Sequence, residues 1–397
     1  MIDFELSPEI LEIQRTARRF AEKEIKPIAA EVDKDPDPEH NFPYEVVKKG
    51  CDIGFHIASI PEPLGGGGGG LIASGIVFEE LARGDAGIAG ILGITGLGLT
   101  PILLGGSPEQ QEKFIRPFCE ADGVRIACLV VTEPGGGSDS FDKVIKPPHG
   151  TKTTAKREGN EYVINGTKCF ITCGNVGDLY TVLARTDKLQ GQDGGTSWFV
   201  LPQGKETPGV SIGKIEDKMG QRSCPTTEVI FDNVRIPEDN LLGDEGDGFL
   251  ITKNFLAASD PAVGLLAIGI AQAAFEEALE YAKTRVQGGK SIIEHQLVGA
   301  RLIDMEIAIE SARLLCWKAL WYGDNNVPGD SKLSMMAKIY ATDVCMKVTT
   351  DVVQIFGGYG YMKDYPVEKY MRDAKVTQIY EGANDVLRIT AAREYFE

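Results

Sequence analysis

The sequence predicts a multidomain α+β protein. It has an N-terminal helical domain over residues 1–124, a middle β-domain of the antiparallel barrel or sandwich type over 125–243, and a C-terminal helical bundle over 244–397. Three observations predict this. Apolar residues recur at helical spacing near the start, the middle third changes to short β-rich runs, and apolar steps of three and four return after about residue 247.

The first helix opens at Ser7-Pro8, an N-cap followed by a proline at the first helical position. Ile10, Ile13, Ala17, Phe20 and Ala21 then share one face. Ser107-Pro108-Glu109-Gln110 is a second start, with Gln110 at the capping-box position. Between them, Pro61-Glu62-Pro63-Leu64 runs into six glycines, Gly65 to Gly70. A phosphate-binding loop would end in Lys-Ser/Thr, but Leu71-Ile72 follows, so a flexible connector is expected. In the middle third, Tyr162-Val163-Ile164, Leu179 to Leu183, Trp198 to Leu201 and Val229-Ile230-Phe231 read as strands punctuated by Gly, Asn and Asp. No helical pattern intervenes, which excludes a Rossmann unit. The last third carries long helices around Val263 to Lys283, Leu302 to Ala319 and Leu333 to Val353.

Composition narrows the function classes. With 43% hydrophobic and 25% charged residues the chain can bury a large core. A net charge of −17 disfavours nucleic acid as a partner. A phosphorylated cofactor stays compatible, because a few local arginines and helix N-termini suffice to hold one. No basic-then-apolar leader opens the chain, and no apolar run is expected to reach the roughly 18 residues of a membrane span. A cytoplasmic protein is the resulting expectation. Eight cysteines without a C-x-x-C read as reduced core thiols, and four histidines without ligand spacing give no metal site.

Three stretches carry candidate chemistry. Val131-Thr132-Glu133-Pro134-Gly135-Gly136-Gly137-Ser138-Asp139 offers backbone N–H groups and hydroxyls suited to a ring system or an anion, or is an ordinary turn. Asn165-Gly166 signals a hairpin turn, and the strand after it places Phe170 and Thr172 on one face. That pair could flank a flavin or sit at the core and rim of a barrel. In Gln378-Ile379-Tyr380-Glu381-Gly382 a carboxylate stands between an aromatic and a glycine. Apolar surroundings raise a carboxyl's pKa toward the range of a base that works near neutrality, although an isolated Glu is more often solvated.

In their order and spacing these stretches resemble the acyl-CoA dehydrogenase family over essentially the whole chain. Ile60-Pro61-Glu62, Lys218-Met219-Gly220-Gln221-Arg222, Glu294-His295-Gln296, Gln354-Ile355-Phe356-Gly357-Gly358 and Tyr365-Pro366-Val367-Glu368 add to the resemblance. It implies FAD held between the β-domain and the C-terminal bundle, in a homotetramer built as a dimer of dimers. Val131, Thr132, Phe170, Ile171 and Thr172 would contact or flank the flavin. Arg285, Gln296, Gln354, Gly357, Gly358, Ala383 and Asn384 would serve the remainder of FAD, with Arg285 on the pyrophosphate of the neighbouring subunit. Ser138, Tyr380 and Gly382 match substrate-side positions. Glu381 matches the usual base: it would take the α-proton of an acyl-CoA thioester while a β-hydride passes to the flavin. The thioester carbonyl would accept hydrogen bonds from the Glu381 N–H and from FAD itself. Electrons would then pass to an electron-transferring flavoprotein.

The sequence departs from the family pattern at three places. Asp260 stands where the family has Arg in Phe255-Leu256-Ala257-Ala258-Ser259-Asp260-Pro261. It is either a helix cap before Pro261 or a second acid/base group in the pocket. Some relatives place their base at the position of Ser259, which cannot serve as one. Arg285-Val286-Gln287-Gly288-Gly289 lacks the aromatic of the family's Arg-x-x-Phe-Gly. The acyl-pocket stretch from Ala86 to Thr100 has no charge and many small residues. That disfavours a dicarboxylyl substrate and leaves room for a branched, alicyclic or aromatic acyl group, unless the small residues serve tight helix packing. Alternatives to simple α,β-dehydrogenation are a 1,4-type dehydrogenation of a cyclic enoyl-CoA using Asp260, an acyl-CoA oxidase that uses O2, and a non-enzymatic scaffold.

Overall fold

Ser7 accepts a hydrogen bond from the Ile10 N–H and starts α1 (Pro8–Phe20) as the sequence predicts. A computed structural model describes residues 6–142, 145–326 and 329–396. After α1 the N-terminal domain continues through α2 (Lys26–Lys34), α3 (Tyr44–Ile53), α4 (Gly70–Ala82), α5 (Ala86–Gly105), α6 (Pro108–Phe114) and α7 (Arg116–Cys119). The Ser107–Gln110 capping box is formed in both directions.

The glycine run before α4 is a packed turn, not a flexible connector. Gly66, Gly67 and Gly68 donate their N–H groups to the carbonyls of Pro61, Ile57 and Ile60. A Cβ on Gly66 would lie 2.2 Å from the Ile60 carbonyl oxygen. The run ends where Asp324 accepts from the Leu71 and Ile72 N–H groups, capping α4 from another helix.

The middle domain is one eight-stranded sheet. Its strands are β1 (Ala127–Val130), β2 (Thr154–Glu158), β3 (Glu161–Thr172), β4 (Leu179–Arg185), β5 (Thr196–Leu201), β6 (Val210–Ile215), β7 (Thr226–Pro237) and β8 (Leu241–Leu242). They lie in the order β6-β7-β3-β2-β4-β5-β8, with β1 beside β4. Pairing is antiparallel except that β1 and β2 run parallel to β4, so the expectation of a purely antiparallel domain is corrected. The Asn165-Gly166 turn signal is corrected too. The two residues lie inside β3, where the register against β7 shifts between Ile164 and Gly166. Asn165 Oδ1 accepts from the Asn233 N–H at 2.9 Å, so its side chain stabilises a bulge between long strands instead of closing a hairpin. The hairpin between β2 and β3 turns at Gly159.

The C-terminal domain contains α8 (Gly248–Thr284), a short hairpin of β9 (Val286–Gln287) and β10 (Lys290–Ser291), α9 (Gln296–Asn325), α10 (Ser331–Phe356), α11 (Val367–Thr377) and α12 (Asn384–Arg393). At 37 residues, α8 is the central pillar. It packs on α4 and α5 of the first domain and on α9, α10 and α11 of its own. It runs unbroken through Pro261, so Asp260 does not cap a helix start. Pro261 has no N–H to give the carbonyl of Ala257 four residues back. Ser334 of α10 supplies the missing donor, its Oγ 2.7 Å from that carbonyl.

Both α5 and α8 are long and apolar enough to cross a membrane by length and composition, which corrects the expectation that no run reaches that length. Most of their residues are buried against other elements, as in core helices. All eight cysteines are unpaired, and seven are buried.

Candidate active site

Glu381 lies in the short loop between α11 and α12 and is half-buried. Its backbone is left-handed, with φ of 54°. A non-glycine residue held there is strained and persists only when its surroundings hold it, a pattern that recurs at functional sites. The surroundings are specific. Gly382, with φ of 90°, has no room for a Cβ, which would sit 2.8 Å from Leu387. The Ala383 N–H donates to Ser138 Oγ at 3.2 Å, tying the loop to the segment after β1. The Glu381 N–H donates to no group among the described residues. The loop's other wall is fixed through α11. The Gln221 N–H donates to Asp373, and Lys369 bridges Asp373 to Asp85 at the start of α5, so all three domains meet there.

The carboxylate of Glu381 accepts a hydrogen bond from Ser259 Oγ of α8 at 2.8 Å. Burial raises the Glu381 pKa above the usual carboxylate value, while Ser259 and the charge of Lys338 pull it down. Asp260, one residue on, is 0% exposed, and neither carboxyl oxygen has a hydrogen-bond partner among the described residues. Burial, and secondarily the charge of Glu381, push it well above the normal Asp range, with Lys338 opposing.

Two cavities flank α8 at this level, and these two neighbours line different ones. Ser259 faces a slot of about 40 Å³ with Phe78, Gly93, Gly96, Leu97 and Ala262. Asp260 lines a cavity of about 160 Å³ with Ser138, Lys253, Met335, Gly382 and Arg393. The small residues of α5 divide accordingly. Gly93 and Gly98 serve close packing, since a Cβ would meet the Phe78 ring at 1.9 Å and the Ala127 carbonyl oxygen at 2.4 Å. Gly96, whose Cβ would have no neighbour nearer than 3.5 Å, opens the slot.

The other predicted residues fall into two groups. In the first, Val131 and Thr132 leave β1 and are clamped to β3. The buried Lys168 Nζ donates to the Val131 carbonyl at 2.7 Å and to Glu133 at 2.8 Å, and the Cys169 N–H donates to the Thr132 carbonyl. Directly after this clamp β3 bulges at Phe170, with φ of 58°. Phe170 is 61% exposed, Ile171 is buried and Thr172 half-buried, across a bulge that interrupts the strict alternation expected of this strand. In the second group, Arg285 ends α8, Gln296 starts α9, and Gln354, Gly357 and Gly358 end α10, all at least partly exposed. The Arg285 guanidinium sits over the Tyr359 ring at 5.5 Å, without a carboxylate partner among the described residues. A Cβ on Gly357 or Gly358 would meet nothing within 4 Å. Tyr380 is partly buried beside Gln221. Asn384 points inward: its amide oxygen accepts from Lys338 and its NH2 donates to Thr342 and Asp343, so the side chain holds the loop. Sequence reasoning did not single out Lys338, Lys168 or Gln221, and it dismissed Ser259 as unable to be a base without seeing that it could hold one.

Comparison with known proteins agrees with this arrangement. Residues 7–122, 128–234 and 246–396 match the N-terminal, middle and C-terminal domains of acyl-CoA dehydrogenase. The chain is 41% identical over 394 residues to cyclohexane-1-carbonyl-CoA dehydrogenase of Geobacter metallireducens, covering 98% of each. It is similar to butyryl-CoA dehydrogenase of Megasphaera elsdenii, with a TM-score of 0.91 and 38% identity over 100% of both chains. A chain in a solved structure described as the electron transferring flavoprotein of Acidaminococcus fermentans gives 0.91 and 40%, again over 100% of both. The chain belongs to the acyl-CoA dehydrogenase family of flavoproteins, oxidoreductases that act on CH–CH donors.

Proposed function

We propose that the chain is an FAD-dependent dehydrogenase of a compact acyl-CoA, branched or alicyclic and without a second carboxylate, with Glu381 as the base that takes the α-proton. The observation that carries this reading is the Glu381 carboxylate held by Ser259, a residue that lines a slot with no charged side chain among the described residues. The acyl group fits the slot side of α8. The longer, polar arm of CoA fits the larger cavity, where exposed Lys253 and partly buried Arg393 lie at the rim.

Features of this chain suit FAD. Exposed Phe170 offers a flat apolar face beside the Thr172 hydroxyl, Gly357 and Gly358 border open space, and Arg285 offers a guanidinium fork to an anion. Bound FAD would supply the acceptor for the hydride leaving the β-carbon. The protein's own work is positional and electrostatic. The Glu381 N–H, which has no acceptor among the described residues, would donate to the thioester carbonyl and so acidify the α-proton. Burial makes the Glu381 carboxylate a stronger base, and Ser259 keeps it ionised and aimed. Asp260 lies against the other cavity, and no ionisable side chain lines the slot among the described residues.

The electron acceptor in this reading is an electron-transferring flavoprotein, supported by the likeness to a chain in such a structure. The assembly is a homotetramer, supported by apolar side chains that α9 leaves exposed, among them Leu297 at 85% and Trp321 at 58%.

The test uses a dye acceptor and a panel of straight, branched, alicyclic, aromatic and dicarboxylyl CoA thioesters. Branched or alicyclic substrates should give the highest kcat/KM. Preference for glutaryl-CoA or for long straight chains would refute the substrate assignment. Glu381→Gln should lose turnover by at least about 10²-fold, the usual contribution of a general base, while retaining the yellow flavin. An active Glu381→Gln enzyme would refute the assignment of the base.

A further inference from the structure

Lys338 of α10 is 0% exposed. It lies on the buried stripe of its helix with Ser334, Ala337, Ala341, Thr342 and Cys345. A buried lysine is expensive unless its three donors find acceptors. Two acceptors lie beside it, one in the loop that carries Glu381 and one on the first residue of α12. Nζ donates to the Gly382 carbonyl at 2.7 Å and to Asn384 Oδ1 at 2.9 Å. Asn384 is itself anchored by its NH2 to Thr342 and Asp343. The lysine therefore grips the carbonyl of Gly382, the residue after the strained Glu381, and the side chain of the first residue of α12.

We propose that Lys338 is the positioning residue for the base: its buried ammonium clamps the Gly382 carbonyl and the Asn384 amide, and so holds the left-handed backbone of Glu381 that aims the carboxylate. The inference rests on the reading of Glu381 as the base. It adds a residue that touches neither substrate nor flavin and acts through the loop.

The clamp requires the ammonium form. A neutral amine at Nζ keeps two donors but loses the charge that strengthens both hydrogen bonds. The ionisable groups facing Lys338 are Asp260 of α8, Asp343 of its own helix, Glu381 of the loop and Arg388 of α12. Burial pulls its pKa down to about 8, against the raising effect of the three carboxyls. Turnover should therefore fall on the alkaline side as the clamp loses its proton.

The experiment compares wild type, Lys338→Arg and Lys338→Met as purified flavoproteins, reading flavin content, KM and kcat from about pH 6 to 10. Lys338→Met should keep its flavin and a KM within about threefold of wild type while kcat falls about 10²-fold, the size of loss expected when a base is slightly misplaced. Lys338→Arg should recover part of that loss, and its alkaline limb should vanish from the measured range, because a guanidinium stays protonated there. A Lys338→Met enzyme with wild-type kcat overturns the proposal. So does a Lys338→Arg enzyme that keeps the wild-type alkaline limb, and this second outcome decides the matter even if the Met variant does not fold. An active Glu381→Gln enzyme would sink the underlying reading of the base, whatever the lysine variants do.

Discussion

Ser259→Ala removes the only side-chain hydrogen bond that the Glu381 carboxylate accepts among the described residues, a 2.8 Å contact with Ser259 Oγ. The hydroxyl favours the ionised form. A hydrogen bond to a charged group contributes about 1.5–3 kcal/mol, and one to a neutral group about 0.5–1.5 kcal/mol. The loss therefore falls on the carboxylate by a difference of roughly 1–1.5 kcal/mol, or about 5- to 15-fold in the ionised fraction at a fixed acidic pH. The sign follows from what sets the Glu381 pKa. Burial raises it and Ser259 lowers it, so deleting the hydroxyl moves it further up. In a dye-acceptor assay of kcat from about pH 5 to 9, the acid limb of the variant should lie at higher pH than in wild type. At the acid end kcat should be lower by the factor above. On the plateau the base is ionised in both enzymes, so the gap between the rates should shrink to what the loss of aim alone costs. An acid limb that stays in place, or moves to lower pH, would refute the claim that Ser259 holds the base in its ionised form.

Two further substitutions test the helices around the site. Ser334→Ala strands the Ala257 carbonyl that Pro261 already leaves without its helical donor, and should lower the urea-unfolding free energy by about 1–3 kcal/mol. In a Pro261→Ala background, where a backbone N–H returns, the same change should cost much less, and equal costs in both backgrounds would remove this account of how α8 tolerates its proline. Asp260→Asn tests the raised Asp260 pKa. With the folded pKa raised well above the unfolded value, wild type loses stability as pH rises from the ordinary Asp range toward that folded pKa. The Asn variant lacks this loss, so its Tm relative to wild type should be higher near pH 8 than near pH 4, and a constant difference would contradict the assignment.

The domain order was legible because each block has its own period. The buried faces of α8, α9 and α10 repeat at three and four, and the strands of the middle third fall where the β-rich runs lie. What failed was local. Asn165-Gly166 is a strong hairpin signal in isolation, but pairing with β7 carries β3 straight through it as a bulge. Asp260 before Pro261 looks like a helix start, but a serine from another helix makes the proline tolerable inside a 37-residue helix. The six glycines suggest flexibility, but the chain needs them to pass close to Ile60. At the site, Glu381, Ser138 and Gly382 came from the resemblance and meet in space. Lys338 was within reach of plain periodicity, since a lysine on the apolar stripe of α10 must find acceptors, but the sequence does not say that those acceptors lie 44 and 46 residues away.

The three ionisable groups around α8 make sense as a set. Glu381 works only when ionised, and Lys338 clamps the loop fully only when protonated. If Asp260 were also ionised, its charge would add to those of Glu381 and Asp343 around one buried ammonium. The added charge would favour protonation of Glu381 and so remove the base. Burial works against an ionised Asp260, since it pushes the Asp260 carboxyl well above the normal Asp range, while Asp343 and Arg388 add one further charge of each sign beside the ammonium. With Glu381 as the base and Lys338 as its clamp, the active range would be bounded below by the ionisation of Glu381, raised by burial, and above by the loss of the Lys338 proton at about 8. Both limits come from desolvation of opposite charges, which pushes a carboxyl up and an amine down toward each other. A variant that lets water into the site, such as Leu387→Ala beside Gly382, should therefore widen the pH profile from both sides as it lowers the peak rate. A profile that narrows or shifts as a whole would show that desolvation does not set the two limits.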